Sequence, residues 1–371
     1  MSTDWPSFRS LFPALADRVY LNTAGGGAMA RSVADAARAY YAESLEMGDI
    51  GWDRWVARAD KDRSDVAAFI GTRADCIAFL PNASLGFNIL ARTLSPGSRV
   101  LAVDQEFPSC TTPFIRAGCE VQYIATDTDG SIPPALLEKA LDDSCDAFVI
   151  SSVQYANGFR ADLGAMGAIC ARHEALFMVD ATQSIGAFPL NMEEDGIDAL
   201  VFSGYKWATA GYGNAVLATG ARWPHSDPPL VGWRSARDAY ALENNRLDLL
   251  PTGIGHEMGH PPFPGVFAMA EALRLLDSQD VTRTAERILE LTDRLVEGLG
   301  DRFAVRSNRK HEARSGIVLI DLQDAKRVNQ ELKKQDIWTS ARDGGLRVSI
   351  HGYNNADDVD RFLAGLCSIV D

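Results

Sequence analysis

The sequence has no long apolar run, no paired cysteines and no nucleotide-binding glycine signature, and each absence removes a class of function. No stretch approaches the roughly 18 uncharged apolar residues of a membrane-spanning helix, and the segment Met1 to Phe8 has no basic region leading into an apolar one. A cytoplasmic protein with no membrane contact is expected. The six cysteines (Cys76, Cys110, Cys119, Cys145, Cys170 and Cys367) include no C-x-x-C pair, so neither a disulfide framework nor a zinc ribbon is indicated. Basic residues are the minority, 36 against 50 acidic, and the net charge of -14 argues against nucleic acid or an anionic membrane as a partner. Neither G-x-G-x-x-G nor G-x-x-x-x-G-K-[ST] occurs. Repeats and low-complexity tracts are also missing.

What remains is an ordinary globular composition, 46% hydrophobic over 371 residues, with room for one large core and a smaller partner domain. It is organised around Ala175 to Trp207. Ala175–Val179 and Ala199–Phe202 each read as a buried parallel strand, and each runs into polar groups: Asp180 and Gln183 after the first, Ser203, Tyr205 and Lys206 after the second. In doubly wound sheets ligands bind at that edge. An acid to hold a protonated ring nitrogen and a lysine able to form a Schiff base are what pyridoxal phosphate requires of a protein.

Alternation of strands and helices predicts a parallel sheet with right-handed crossovers. Val19–Leu21 is a short strand entering the glycines Gly25, Gly26 and Gly27, which suit either close backbone approach to a ligand or a flexible turn. Helices are predicted over 28–46 and 52–70, then a strand over 76–80. Pro81 to Gly86 precedes a further helix, so Asn82, Ala83 and Ser84 are candidates for a phosphate cradle at its N-terminus; the same residues also suit a plain helix cap. Strands follow over 99–103 and 120–126, a turn over 127–130, a helix over 133–141 and a strand over 147–153 ahead of Gln154 to Gly158. Next come a helix over 163–173 and, after Lys206, a strand over 214–219. Phe107 sits at a strand end where its ring could stack on a planar cofactor, although such a residue also suits a core. Residues 223–264 lack a sustained period and read as a long surface excursion. Helices over 265–276 and 281–299 lead to a strand, helix, strand, strand and helix over 317–370, a small α/β domain. The division expected is 20–255 for the large domain, with 1–19 and 256–371 forming the small one.

His256-Glu257-Met258-Gly259-His260 matches the zinc-peptidase pattern H-E-x-x-H, which needs both imidazoles on one face of a helix. Gly253, Gly255 and Gly259, with Pro261-Pro262 immediately after, argue against a helix there, and no metal site is expected.

Asp180-Ala-Thr-Gln183 followed by Ser203-Gly-Tyr-Lys206 resembles the class V aminotransferase family of pyridoxal-phosphate enzymes, which includes cysteine desulfurases, kynureninase and isopenicillin-N epimerase. The likeness extends from Tyr20-Leu-Asn through Asn82-Ala-Ser and Glu106-Phe-Pro-Ser to Leu346-Arg-Val-Ser-Ile-His-Gly-Tyr-Asn354. It implies the fold of pyridoxal-phosphate-dependent transferases (fold type I), with a mainly parallel large domain, a small C-terminal α/β domain, and a homodimer acting on a small-molecule substrate, an L-α-amino acid. By the same resemblance Lys206 would hold the cofactor and move the Cα proton, Asp180 would face the ring nitrogen, and Gln183 the ring's 3-hydroxyl oxygen. Asn157 would lie near that oxygen or the substrate carboxylate. Phe107 would stack on the ring, Ser203, Tyr205, Ala83 and Ser84 would take the phosphate, and Arg347 would grip the substrate's α-carboxylate. Where relatives reach the partner subunit's phosphate with glycine and threonine, this chain has Gly259-His260.

Cysteine desulfurases carry a nucleophilic cysteine shortly before the carboxylate-binding arginine, and Thr339 to Arg347 has none. Persulfide transfer is therefore not expected. β-Elimination of the carbon–sulfur lyase type needs no group beyond those named. Transamination is the alternative, with Arg234 or Arg237 as candidates for a second carboxylate; epimerisation, kynureninase-type cleavage, a zinc peptidase and a scaffold without catalysis are further readings.

Overall fold

The computed structural model describes residues 4–127, 130–223, 227–342 and 344–370. Among them the strands are β1 (Val19–Tyr20), β2 (Ile77–Leu80), β3 (Arg99–Val103), β4 (Glu120–Ile124), β5 (Ala147–Ser151), β6 (Leu176–Asp180), β7 (Ala199–Ser203), β8 (Ala215–Thr219), β9 (Ile317–Asp321), β10 (Ile337–Trp338), β11 (Ser340–Arg342) and β12 (Gly345–Ser349). Seven of these form one sheet in the order β2-β8-β7-β6-β5-β3-β4. Neighbours from β7 to β4 pair in parallel, whereas β8 runs antiparallel to both β7 and β2.

Strands β5, β7 and β8 are buried along their whole length because helices cover both faces, as their unbroken apolar runs require. Alternate residues feed two cores. Phe148, Ile150, Phe177 and Val179 join the core that includes helices Arg31–Met47, Trp52–Phe69 and Phe263–Asp277. Ala147, Val149, Met178 and Val201 face the helix Ala83–Thr93 on the other side. The outer strand β4 exposes Glu120 and Gln122, polar residues that blunt an open edge.

A three-stranded antiparallel sheet, β11-β12-β9, packs on helices Val281–Leu299, Ala325–Lys334 and Ala356–Val370 around a third core. The N-terminal segment belongs to this part: β1 pairs with β10, and Arg9 clamps Asp358 with two bonds of 2.7 and 3.0 Å.

Local departures from the expected elements have local causes. The helix expected from residue 28 begins at Arg31, because Ala30 is extended. The strand expected over 337–340 divides into β10 and β11, which belong to different sheets. Helices Trp5–Ser10 and Thr112–Ala117 lie outside the predicted elements; both are short and carry Pro in the first turn. In the turn expected over 127–130, Thr128 and Asp129 lie outside the described residues. No helix among the described residues is long and apolar enough to cross a membrane.

Candidate active site

Asp180, Ser203 and Ser151 are the last residues of three neighbouring parallel strands, and the chain after each turns toward one place. Ser203 joins the helix Ala83–Thr93 to this edge: its Oγ accepts the Ala83 N–H at 3.1 Å. Asn82 caps the same helix through the Leu85 N–H at 3.0 Å. The capping alternative is thus realised, and it is compatible with a cradle, since the Ser84 N–H in the first turn has no intrahelical acceptor. The Ser84 hydroxyl is exposed and meets that of Ser109 at 2.8 Å.

Lys206 lies three residues past β7, in the turn that the glycine run approaches. Gly27 donates its N–H to the Tyr205 carbonyl at 2.8 Å, and a Cβ on Gly27 would stand 2.1 Å from the Lys206 carbonyl oxygen, so only glycine fits. The Lys206 amine is 5.6 Å from the centre of the Phe107 ring and 5.5 Å from that of Tyr205. Burial brings its pKa down to about 8; the charge of Asp180 opposes this shift, while those of Arg347 and Arg342 add to it. Tyr205 stacks on Tyr212 with ring centres 4.3 Å apart.

Asp180 is held from both sides. The Thr182 N–H donates to its Oδ1 at 2.8 Å, and the Cys110 thiol lies 3.3 Å from its Oδ2. Gln183 accepts the Trp207 indole N–H at 2.7 Å and donates to the Ala24 carbonyl at 3.2 Å, which leaves one of its two amide protons for a ligand. Asn157 is buried and fixes its own turn, donating to the Gly130 carbonyl and accepting the Phe159 N–H. That turn presents the Tyr155 carbonyl, to which Arg347 Nη1 donates at 2.7 Å. A buried amine of lowered pKa, a carboxylate at a strand end, an exposed aromatic face and a helix N-terminus flanked by hydroxyls make a donor set that fits pyridoxal phosphate.

His260 stands apart. It lies on the surface between Trp52 and Trp233, with ring centres 4.3 and 4.6 Å away. No contact among the described residues joins it to Lys206, Asp180 or Ser203. The zinc-peptidase spacing does not take the helical form that chemistry needs: Gly253–Glu257 is a 3-10 turn, Met258 has φ of 63°, and His256 is buried with a pKa lowered to about 4 by burial. Arg234 and Arg237 are directed elsewhere, toward Glu257 and Asp248.

Three supporting residues carried no assigned role in the sequence reading. Glu106, buried next to Phe107, accepts the Ser151 N–H at 2.6 Å, the Ser151 hydroxyl at 2.5 Å and the Gln154 amide at 2.6 Å, which ties the Phe107 turn to the end of β5. Burial raises its pKa. Cys110 is wholly buried, and burial pushes its thiol well above the usual range. His351 stacks on Trp207 and bonds to its carbonyl at 3.1 Å. A carboxylate directly before Phe107 at a strand end was the available signal for Glu106; the other two depend on long-range packing.

Fold and site together define a fold type I protein. Across the whole chain the architecture matches that of an apo cysteine desulfurase from Thermococcus onnurineus NA1, with a TM-score of 0.91, 22% identity and 98% of that chain covered. It also matches a cystine C-S lyase, C-DES, solved with its product cysteine persulfide, at a TM-score of 0.85 and 21% identity over 96% of this chain and 98% of that one. The model of the family "Aminotransferase class-V" matches residues 19–362, and the chain belongs to that family. Among its relatives are an uncharacterized aminotransferase of Bacillus subtilis (strain 168), 25% identical over 95% of this chain and 94% of that protein, and a probable cysteine desulfurase of Pyrococcus abyssi (strain GE5 / Orsay), 25% identical over 84% of this chain and 83% of that protein.

Proposed function

We propose that this protein is a pyridoxal-phosphate enzyme that removes a sulfur leaving group from the β-carbon of an L-α-amino acid. Bound pyridoxal phosphate supplies the electron sink that loosens bonds at Cα. The chain supplies the rest. Lys206 anchors the cofactor, and once its amine is freed it takes the Cα proton. In the chain itself burial already lowers the pKa of that amine to about 8, toward what a base at neutral pH needs. Asp180, oriented by Thr182 and Cys110, would hold the ring nitrogen of the bound cofactor. Phe107 would cover a ring face, the first turn at Ala83 and Ser84 with Ser203 would take the phosphate, and Arg347 would hold the substrate carboxylate with its planar fork.

The observation that carries elimination over sulfur transfer is the state of the thiols around Lys206. Arg342 pairs directly with Gly345, so β11 and β12 form a tight hairpin in the stretch where desulfurases carry their cysteine. Cys110 is a protonated thiol committed to Asp180, which suits orientation and not nucleophilic attack. The cystine lyase of the same fold is consistent with this chemistry.

Purified protein loaded with pyridoxal phosphate should release pyruvate and ammonium from an S-substituted L-cysteine without added keto acid. Turnover only when a keto acid is supplied would replace elimination with transamination.

A further inference from the structure

The face of the small sheet that carries Arg347 carries a second arginine. Ser340 pairs with Arg347 and Arg342 with Gly345, and residues two apart on a strand project to the same side. Ser340, Arg342, Gly345, Arg347 and Ser349 therefore share one face. That face is turned to the large sheet. Arg347 reaches the Tyr155 carbonyl, Ser349 Oγ accepts the Ala24 N–H at 3.0 Å, and Ile317, opposite Ser349, packs with Trp207 and Val153. The other face, with Leu346 and Val348, is the core of the small domain.

Arg342 is thus directed from the hairpin toward the region of Lys206, and its charge joins that of Arg347 in displacing the proton from the lysine amine. It stands one diagonal step from Arg347, a spacing of about 7 to 8 Å between backbones. Gly345 opposite it adds no side chain of its own, and the buried Leu319, opposite Arg347, packs against that position. The acid nearest by register, Asp321 in the same row, is bonded to Arg306 at 2.6 Å. Arg342 is exposed, and among the described residues it has no ion pair or hydrogen bond. A second cation just outside the carboxylate clamp, Arg342, calls for a second anion on the ligand.

We propose that Arg342 binds an anionic group at the far end of the leaving group, so that the substrate is an L-amino acid with sulfur on Cβ and a carboxylate or sulfonate beyond that sulfur. The leaving-group part rests on the elimination reading. The preference for a second anion does not. In the balanced reaction the Cα proton is taken, the Cβ–S bond breaks and its electron pair leaves with sulfur as a thiolate that is protonated. One water is consumed, and the products are the thiol, pyruvate and ammonium.

The test has two arms, both on cofactor-loaded protein. In the first, calorimetry compares L-2-aminoadipate with L-norleucine, a pair of amino acids with and without a distal carboxylate and with no leaving group. The wild type is expected to favour the acidic ligand by roughly tenfold or more. Arg342→Gln should abolish that preference while changing L-norleucine binding far less than L-2-aminoadipate binding, and Arg342→Lys should retain part of it. Equal binding of the two ligands by the wild type, or a preference that survives in Arg342→Gln, overturns the proposal. The second arm measures pyruvate from S-carboxymethyl-L-cysteine against its neutral isostere S-carboxamidomethyl-L-cysteine, with an Arg342-dependent excess expected for the former. If neither compound yields pyruvate while the calorimetric preference holds, the elimination reading fails and the anion site stands.

Discussion

Lys206 concentrates the physical tension of the site in one side chain. An amine is kept out of water beside two arginines, with Asp180 as the compensating charge, and its pKa falls from 10.5 to about 8. In the unfolded chain the same amine holds its proton up to about 10.4. Between those values the unfolded state binds more protons, so stability rises with pH; below about 8 both states are protonated and the folded state carries the full penalty. Apoprotein with Lys206→Met should therefore be more stable than the wild type at pH 7, by a few kcal/mol, with the gap closing as pH approaches 10.5. Denaturant melts at several pH values check this, and a gap that does not narrow would show that the amine is not the titrating group. The same substitution should cut turnover by roughly a thousandfold or more. The strand-end positions of Lys206, Asp180 and Gln183, to which the proposed function gives the chemistry, were legible in the sequence because each follows a buried apolar run by zero to three residues. Cys110 and His351 were not, because their roles are contacts across long stretches of chain that no local pattern encodes.

At the scale of elements, the helix Ala83–Thr93 both closes a core face and presents its N-terminus to the site, so a single residue can be made to separate the two duties. Asn82→Ala removes the cap and should lower stability by about 1 kcal/mol. Asn82→Asp keeps a capping oxygen but adds a negative charge at the place where phosphate is expected. It should melt close to the wild type yet hold pyridoxal phosphate less tightly, with inorganic phosphate competing less well for the apoprotein. Equal cofactor affinity in Asn82→Asp would mean that the first turn is only a capped helix end. Most elements were readable in advance for a common reason: β5, β6 and β7 are apolar runs with polar residues at one end, a pattern that comes from burial on both faces. The antiparallel direction of β8 was not readable, since a buried strand of five residues looks the same in either orientation and its direction depends on the turn at Gly211 to Asn214 that follows Lys206. The division of β10 from β11 was hidden for another reason: β10 pairs with β1 from the far end of the chain, whereas β11 turns straight back on β12.

Among the large apolar side chains that the molecule exposes, the most exposed fall mainly in two segments. Leu45 and Ile50 are 87% and 85% exposed, Leu242 and Leu247 are 74% and 79% exposed, and Tyr41 and Tyr240 are both 63% exposed. Tyr41 and Leu45 lie in the helix Arg31–Met47 and Ile50 just after it, while Tyr240, Leu242 and Leu247 lie in the excursion before residue 250. Trp52, His260 and Trp233 connect them, with consecutive ring centres 4.3 and 4.6 Å apart. Exposed apolar side chains of this size mark interaction surfaces, and a second copy of the chain would cover them. The homodimer expected from the family resemblance would then bring His260 to the boundary between subunits, where it could reach the partner's site. The net charge of -14 on each copy opposes association at long range, and salt screens that repulsion while leaving the apolar contact in place. Dimerisation should therefore tighten, not weaken, as salt rises from low to physiological. Light scattering at several protein concentrations should give twice the chain mass for the wild type and the single-chain mass for Leu45→Asp combined with Ile50→Asp, both exposed positions where the fold itself should tolerate the change. A wild type that stays at the mass of one chain at every concentration and salt would leave the apolar region without a second copy to cover it. If the double variant is monomeric and folded but binds pyridoxal phosphate as tightly as the dimer, His260 has no part in the partner's site, and each subunit holds its cofactor alone.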